Sequence, residues 1–212
     1  MAYINPSIVK GRKMKKKSII RIILSILGIA ALLSGCAALQ KPSESNFKAP
    51  TVTLSHVELE HSFGYWYYSP KIKPTKGKNA GKTGGSPLDY AFIFEITNPN
   101  SYAVLLDGLS FSIAFEEFGL NRAISPETMW IPPGKTNQLR VHAMFDVLPA
   151  LNSLLVTGGF KLKEKGMSGW EAIEKWWTEA PNFSFPLIVN EGSAVFTANG
   201  LTRVVPFNAT FP

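Results

Sequence analysis

The chain has 212 residues, 45% of them hydrophobic, with 22 basic and 15 acidic side chains, three histidines and one cysteine. That length and apolar content suffice for one packed domain, and a lone cysteine excludes an internal disulfide and a cysteine-based zinc site. The formal charge of +7 resides in the first 36 residues, which hold Lys10, Arg12, Lys13, Lys15, Lys16, Lys17 and Arg21 and no acid. The remainder is neutral and gives no basis for a nucleic-acid partner.

Behind the basic cluster comes the apolar run Ile22 to Leu33, "IILSILGIAALL". As a helix it rises roughly 18 Å, short of the roughly 30 Å hydrocarbon core. A basic segment, a short apolar run and then small residues predict a secretory signal peptide over 1–35 rather than a membrane span. Met14, followed by three lysines, is an equally good start. The run ends in Leu33-Ser34-Gly35-Cys36, which resembles the lipobox of bacterial lipoproteins. That resemblance implies cleavage before Cys36, lipidation of its thiol, and a membrane as partner. Several acyl chains on one residue meet the requirement for stable anchoring without a spanning helix. The residue after the cysteine is Ala37 and not Asp, which by the same resemblance implies the outer membrane, with the domain facing the periplasm.

Residues 36–50, "CAALQKPSESNFKAP", are polar with two prolines and no periodicity, and read as the lipidated N-terminus and a tether. A single domain over 51–212 follows. In "TVTLSHVELE" the apolar phase switches between Leu54 and Val57, predicting a bulge near Ser55-His56. Next come the alternating segments "YAFIFEIT", "LSFSIAF" and "QLRVHAMF"; the first sets Tyr90, Phe92, Phe94 and Ile96 on one face, and Phe92, Phe94, Ile96, Phe111, Ile113, Val141 and Phe145 are expected in the core. Short strands are expected at 183–189, 194–198 and 201–207, and turns at Asp107-Gly108, Gly119 to Asn121 and Pro132-Pro133-Gly134. The fold class is all-β for the most part, an antiparallel sandwich with one or two short helices before the last strands.

Those helices are "LPALNSLLV", expected to make one or two turns, and "SGWEAIEKWW". In the second, Ser168 and Glu171 form a capping box, and Trp170, Ile173 and Trp177 share a face. Two readings stand: the stripe covers the open end of the core, or it is an aromatic docking surface with Trp176 its most exposed residue. Between the first two strands, "SPKIKPTKGKNAGKTGGSPL" carries Lys71, Lys73, Lys76, Lys78 and Lys82 and no acid. "GKNAGKT" has one residue too few between its glycines for a phosphate loop, and no apolar helix follows. The segment is either a flexible loop or a basic finger for anionic headgroups or another polymer.

Catalytic chemistry has no visible seat. His56, His61 and His142 lack metal-ligand spacing, no nucleophile elbow occurs, and Glu116 and Glu117 are adjacent on one strand end and point apart. No enzyme activity, metal or cofactor is expected.

"FIFEITNPNSYAVLLDGLSFSI" sets an apolar strand, Asn98-Pro99-Asn100, an apolar segment, Gly108-Leu109 and a second alternating strand in order. It resembles the core of the late embryogenesis abundant group 2 family, also called the water-stress and hypersensitive-response (WHy) domain. "APTVTLSHVEL" is similar to that family's opening strand and "WIPPGKTNQLRVHAMF" to its next hairpin. The lysine–glycine loop and the helices within 149–180 depart from the family pattern. The resemblance implies an immunoglobulin- or fibronectin-like sandwich and a non-catalytic binding or stress-protective role with protein clients. It leaves open a lipid-binding or lipid-shuttling protein, or an accessory lipoprotein of a larger envelope complex. Asn-Pro-Asn itself reads as a structural corner.

Overall fold

The computed structural model describes residues 41–65 and 85–212; the expected signal segment, the lipobox Leu33 to Cys36 and the loop lysines from Lys71 to Lys82 lie outside the described residues. Phe92, Phe94 and Ile96 all point inward from one strand, and the same period-two pattern recurs to give eight strands among the described residues. These are β1 (Thr51–Ser62), β2 (Leu88–Thr97), β3 (Val104–Phe115), β4 (Phe118–Ser125), β5 (Met129–Ile131), β6 (Thr136–Phe145), β7 (Leu187–Ala198) and β8 (Leu201–Phe211). One sheet has the order β1-β2-β6 and the other β4-β3-β7-β8, with β5 beside β3; every pairing is antiparallel. The two sheets form the expected sandwich.

Aromatic rings fill the space between the sheets. Phe94 lies 5.1 Å from Phe111 and 5.3 Å from Phe207, ring centre to ring centre, and Phe92 lies 5.2 Å from Phe111. Phe115 and Phe145 close the layer at 4.8 Å. Edge-on pairs of this kind add to the area they bury.

The register of β1 on β2 slips between Leu54 and His56, where the phase switch placed a bulge. Three expected breaks sit elsewhere. Asp107-Gly108 is no turn but an irregularity inside β3, between Leu106 and Gly108. Gly119 to Asn121 belongs to β4; the tight turn before it is Glu116-Glu117, fixed by the pairing of the inward-facing Phe115 and Phe118. The segments 183–189 and 194–198 form one strand from Leu187, bent at Glu191 (φ 52), where Gly192 lies too close to the Phe207 carbonyl for any side chain. "WIPPGKTNQLRVHAMF" is not a hairpin either: β5 pairs with β3, so the turn at Gly134 carries the chain from one sheet to the other.

Two helices precede β7. Helix α1 (Val147–Glu164) has 18 residues instead of one or two turns, and helix α2 (Gly169–Glu179) has 11. The Gly158-Gly159 pair reads as a breaker, yet Gly158 faces Phe118, whose ring would lie 2.7 Å from any Cβ there, so packing demands the glycine that propensity penalises. Ser168 caps α2: its hydroxyl accepts from the Glu171 amide (3.2 Å) and the Glu171 carboxylate accepts from the Ser168 amide (2.7 Å). Among the described residues no helix is long and apolar enough to cross a membrane.

The strand directions give the sandwich two distinct ends. Asn98 and the turn at Pro132-Gly134 lie at one; the starts of β2 and α1 and the Glu116-Glu117 turn lie at the other, capped by the helices.

Phe94→Ala should cost about 3–5 kcal/mol, because a fully buried ring leaves a cavity its neighbours cannot fill. Chemical denaturation measures it; a loss under about 1 kcal/mol would place Phe94 on an outward face.

Candidate functional site

At the corner end, Asn98 is fully buried (0% exposed) yet polar, so all its hydrogen-bonding groups need partners. Its Nδ2 donates to the carbonyls of Tyr102 (2.8 Å), Ile131 (3.0 Å) and Pro132 (3.2 Å). Its Oδ1 accepts from the Asn100 amide (3.0 Å) and side chain (2.9 Å). Asn100 in turn pairs with residue 48 in both directions: its Oδ1 accepts from the Lys48 amide (2.9 Å) and its Nδ2 donates to the Lys48 carbonyl (2.8 Å). Pro99, between them, keeps Asn98 out of the helical region. The motif is a structural corner.

Asn100 also explains why the segment before β1 departs from the expected tether. Phe47 is buried against Tyr102 (6.4 Å) with the Arg203 guanidinium over its ring, and the Tyr102 hydroxyl donates to Asn46 Oδ1 (3.0 Å). Residues 43–50 are therefore docked on the domain, and the part of the tether before Lys41 lies outside the described residues.

At the opposite end α2 buries Ala172, Ile173, Trp176 and Trp177, so the aromatic helix covers the core. Trp176, expected to be its most exposed residue, is 1% exposed and packs on Phe115 (5.7 Å) and Phe118 (5.6 Å). The face is set by Gly169, which must lie against Leu151, and it runs 169, 172, 173, 176, 177 instead of following Trp170. Within α2 the exposed tryptophan is Trp170, at 45%. Trp177 Nε1 donates to the Ser86 carbonyl (2.7 Å). Ser86 also gives its amide to Asp146 Oδ1 (2.9 Å) and its hydroxyl to the Gly64 carbonyl. The described residues flanking the lysine loop are thus tied to both helices. Glu116 and Glu117 do point apart, each to its own partner: Lys175 for Glu116 and Lys165 (3.0 Å) for Glu117.

The outer face of the three-stranded sheet collects all three histidines. Arg140 bridges Glu58 (2.5 Å) and Glu60, and His56 also reaches Glu58 (3.1 Å). The Arg140 hydrogen bond, then that of His56, holds the Glu58 carboxyl below its ordinary value. His142 Nδ1 lies 3.3 Å from Asp89 Oδ2. Among the described residues no group of three metal-ligating side chains converges.

One surface feature escaped the sequence reading. The outward side of α1 exposes Leu148, Leu155, Val156 and Phe160. An open depression of about 500 Å³ between Leu155, Lys163, Met167 and Gly169 continues it toward α2. The signal was present in the absence of any charged residue from Val147 to Phe160, which suits a helix covered on more than one side.

No protein-family profile and no curated protein matches the chain. Solved structures similar to it include a protein from Archaeoglobus fulgidus (9% identity, 74% of this chain and 94% of that one, TM-score 0.39). A FixG-related protein from Vibrio parahaemolyticus is also similar (9% identity, 77% and 95% covered, TM-score 0.26). So is a protein described as late embryogenesis abundant, solved in solution (11% identity, 92% and 87% covered, TM-score 0.29). Likenesses this distant carry no argument about function.

Asn98→Ala removes a donor from three carbonyls and an acceptor from Asn100, at about 1–3 kcal/mol for each buried group left unpaired. A stability loss of at least about 3 kcal/mol is expected in denaturant titration. Asn98→Asp should be as harmful at neutral pH, since it aims a carboxylate at carbonyl oxygens; a neutral effect would show that the donor is not needed.

Proposed function

We propose that this chain is a lipid-anchored, non-catalytic binding or protective module of the bacterial cell envelope. The observation that carries the reading is the order of features at the N-terminus: a basic segment, a short apolar run, and Leu33-Ser34-Gly35-Cys36 where that run ends. Acylation consumes the chain's one thiol as an anchor, and the rest of the chain hangs from it.

Chain length supports the same reading. Among the described residues Phe47 is the first that is buried, and the stretch from Cys36 to Phe47 reaches at most roughly 38 Å when extended. A module on so short a stem works at the lipid surface. The packed aromatic interior leaves the outer faces as the working part: the charged sheet face with His56, Glu58 and Arg140, and the helical end with α1. The WHy-like order of strand, Asn-Pro-Asn and strand supports a protective or client-binding role over an enzymatic one.

Metabolic labelling with palmitate, comparing wild type with Cys36→Ser, tests the anchor. Label should be lost in the variant and the protein should leave the membrane fraction. Equal labelling, or neither protein in the membrane fraction, removes the anchor. Protection of a client enzyme against aggregation on drying tests the role; no protection by the mature protein rejects the protective reading.

A further inference from the structure

The stem is fastened to the corner end, and it brings lysines there. Asn46 Nδ2 donates to the Lys41 carbonyl (3.0 Å), and Asn46 is held in turn by the Tyr102 hydroxyl. Asn100 binds Lys48 in both directions, and the Lys135 carbonyl accepts from the Asn98 amide (2.9 Å). Lys41, Lys48 and Lys135 thus surround one corner, and all three are exposed. Glu44, the acid of the same segment, is held by Arg203 at 3.0 Å. Glu95 and Asp107, the next acids on the strands that end there, lie two or three residues further in.

The point where the chain leaves this corner decides what lies beneath it. Five residues lead from Cys36 to Lys41, a reach of at most roughly 18 Å. β1 runs away from the corner for 12 residues, roughly 35 Å, and the flanks of the lysine loop, Tyr65 and Gly85, lie beyond its far end. A lipid on Cys36 therefore brings the corner to the surface before the helical end. Anionic headgroups then meet three lysines and an acid that Arg203 already neutralises, and each lysine near them is attracted. Laying the domain on its three-stranded sheet would instead press Glu58, Glu60 and Glu95 on the same headgroups, with Arg140 offsetting only part of that charge.

We propose that the corner end is the membrane-facing end of the protein, with Lys41, Lys48 and Lys135 on anionic phospholipid headgroups and the helical end held away from the surface. This deepens the lipid-anchored reading and rests on an anchor at residue 36. The test supplies that anchor chemically, so its outcome does not depend on acylation in the cell. It uses the chain from Cys36 onward, which keeps every buried residue of the described core, from Phe47 on.

The Cys36 thiol is coupled to a maleimide-bearing phosphatidylethanolamine in vesicles of phosphatidylcholine, with or without phosphatidylglycerol, and acetylation of each lysine is followed by mass spectrometry. On the anionic vesicles Lys41, Lys48 and Lys135 should react about fivefold more slowly than in solution, the factor that corresponds to about 1 kcal/mol per lysine near the surface. Lys161, Lys163 and the loop lysines from Lys71 to Lys82 should keep their solution rates. Added salt should restore the rates at the corner. Three results would each overturn the proposal. The corner lysines react as in solution; the loop or helix lysines are protected as much as they are; or protection is the same on phosphatidylcholine alone, which assigns it to the tether and not to charge. The expected pattern, together with palmitate labelling in cells that survives Cys36→Ser, keeps the membrane-facing end and removes the natural anchor alone.

Discussion

The side-chain amide of Asn98 is the constraint on which the corner end depends. The chain crosses between the two sheets from β2 to β3 and again from β5 to β6, and both crossings pass this residue. Its amide serves the Tyr102 carbonyl on the first crossing and the Ile131 and Pro132 carbonyls on the second. Its own backbone amide donates to Lys135 (2.9 Å), and Asn100 accepts from the Gly134 amide (3.1 Å). A buried loop without these bonds would leave several carbonyls unpaired in an apolar interior. Asn supplies donors and an acceptor at once, which an aliphatic residue of the same volume cannot.

Asn100 extends the corner to the chain start. Because it pairs with Lys48 in both directions, the segment that leads toward Cys36 is held by the same polar cluster that joins the sheets. The helical end is built differently, from rings: Trp176, Phe115, Phe118 and Phe185 pack at 5.0–6.4 Å, and α1 lies across them with its outer side unfilled.

The strands were legible because each carries its own period: Phe92, Phe94 and Ile96 against Glu95, and Phe111 and Ile113 against Ser110 and Ser112. What the sequence hid depends on residues far away in the chain. Glu116-Glu117 has no turn former; its left-handed Glu116 (φ 55) is held by the Pro186 carbonyl and by Lys175 of α2, and Glu117 by Lys165 just past the end of α1. The full length of α1 was masked by two glycines whose inner member makes room for a phenylalanine forty residues earlier. Trp176 was misplaced because a helical stripe can be drawn through Trp170 or through Gly169, and only contact with Leu151 selects the second. The lysine loop and Cys36 stay readings of sequence, since they lie outside the described residues.

Native-state hydrogen exchange tests the central claim, that the Asn98–Asn100 corner fixes the chain start to both sheets. The amides of Lys48 and Asn100, which donate to side-chain oxygens and lie outside any strand ladder, should exchange only with the opening that exposes Phe92 and Phe94. Exchange of these two amides at the rate of an open loop, with the β2 amides still protected, would contradict the account.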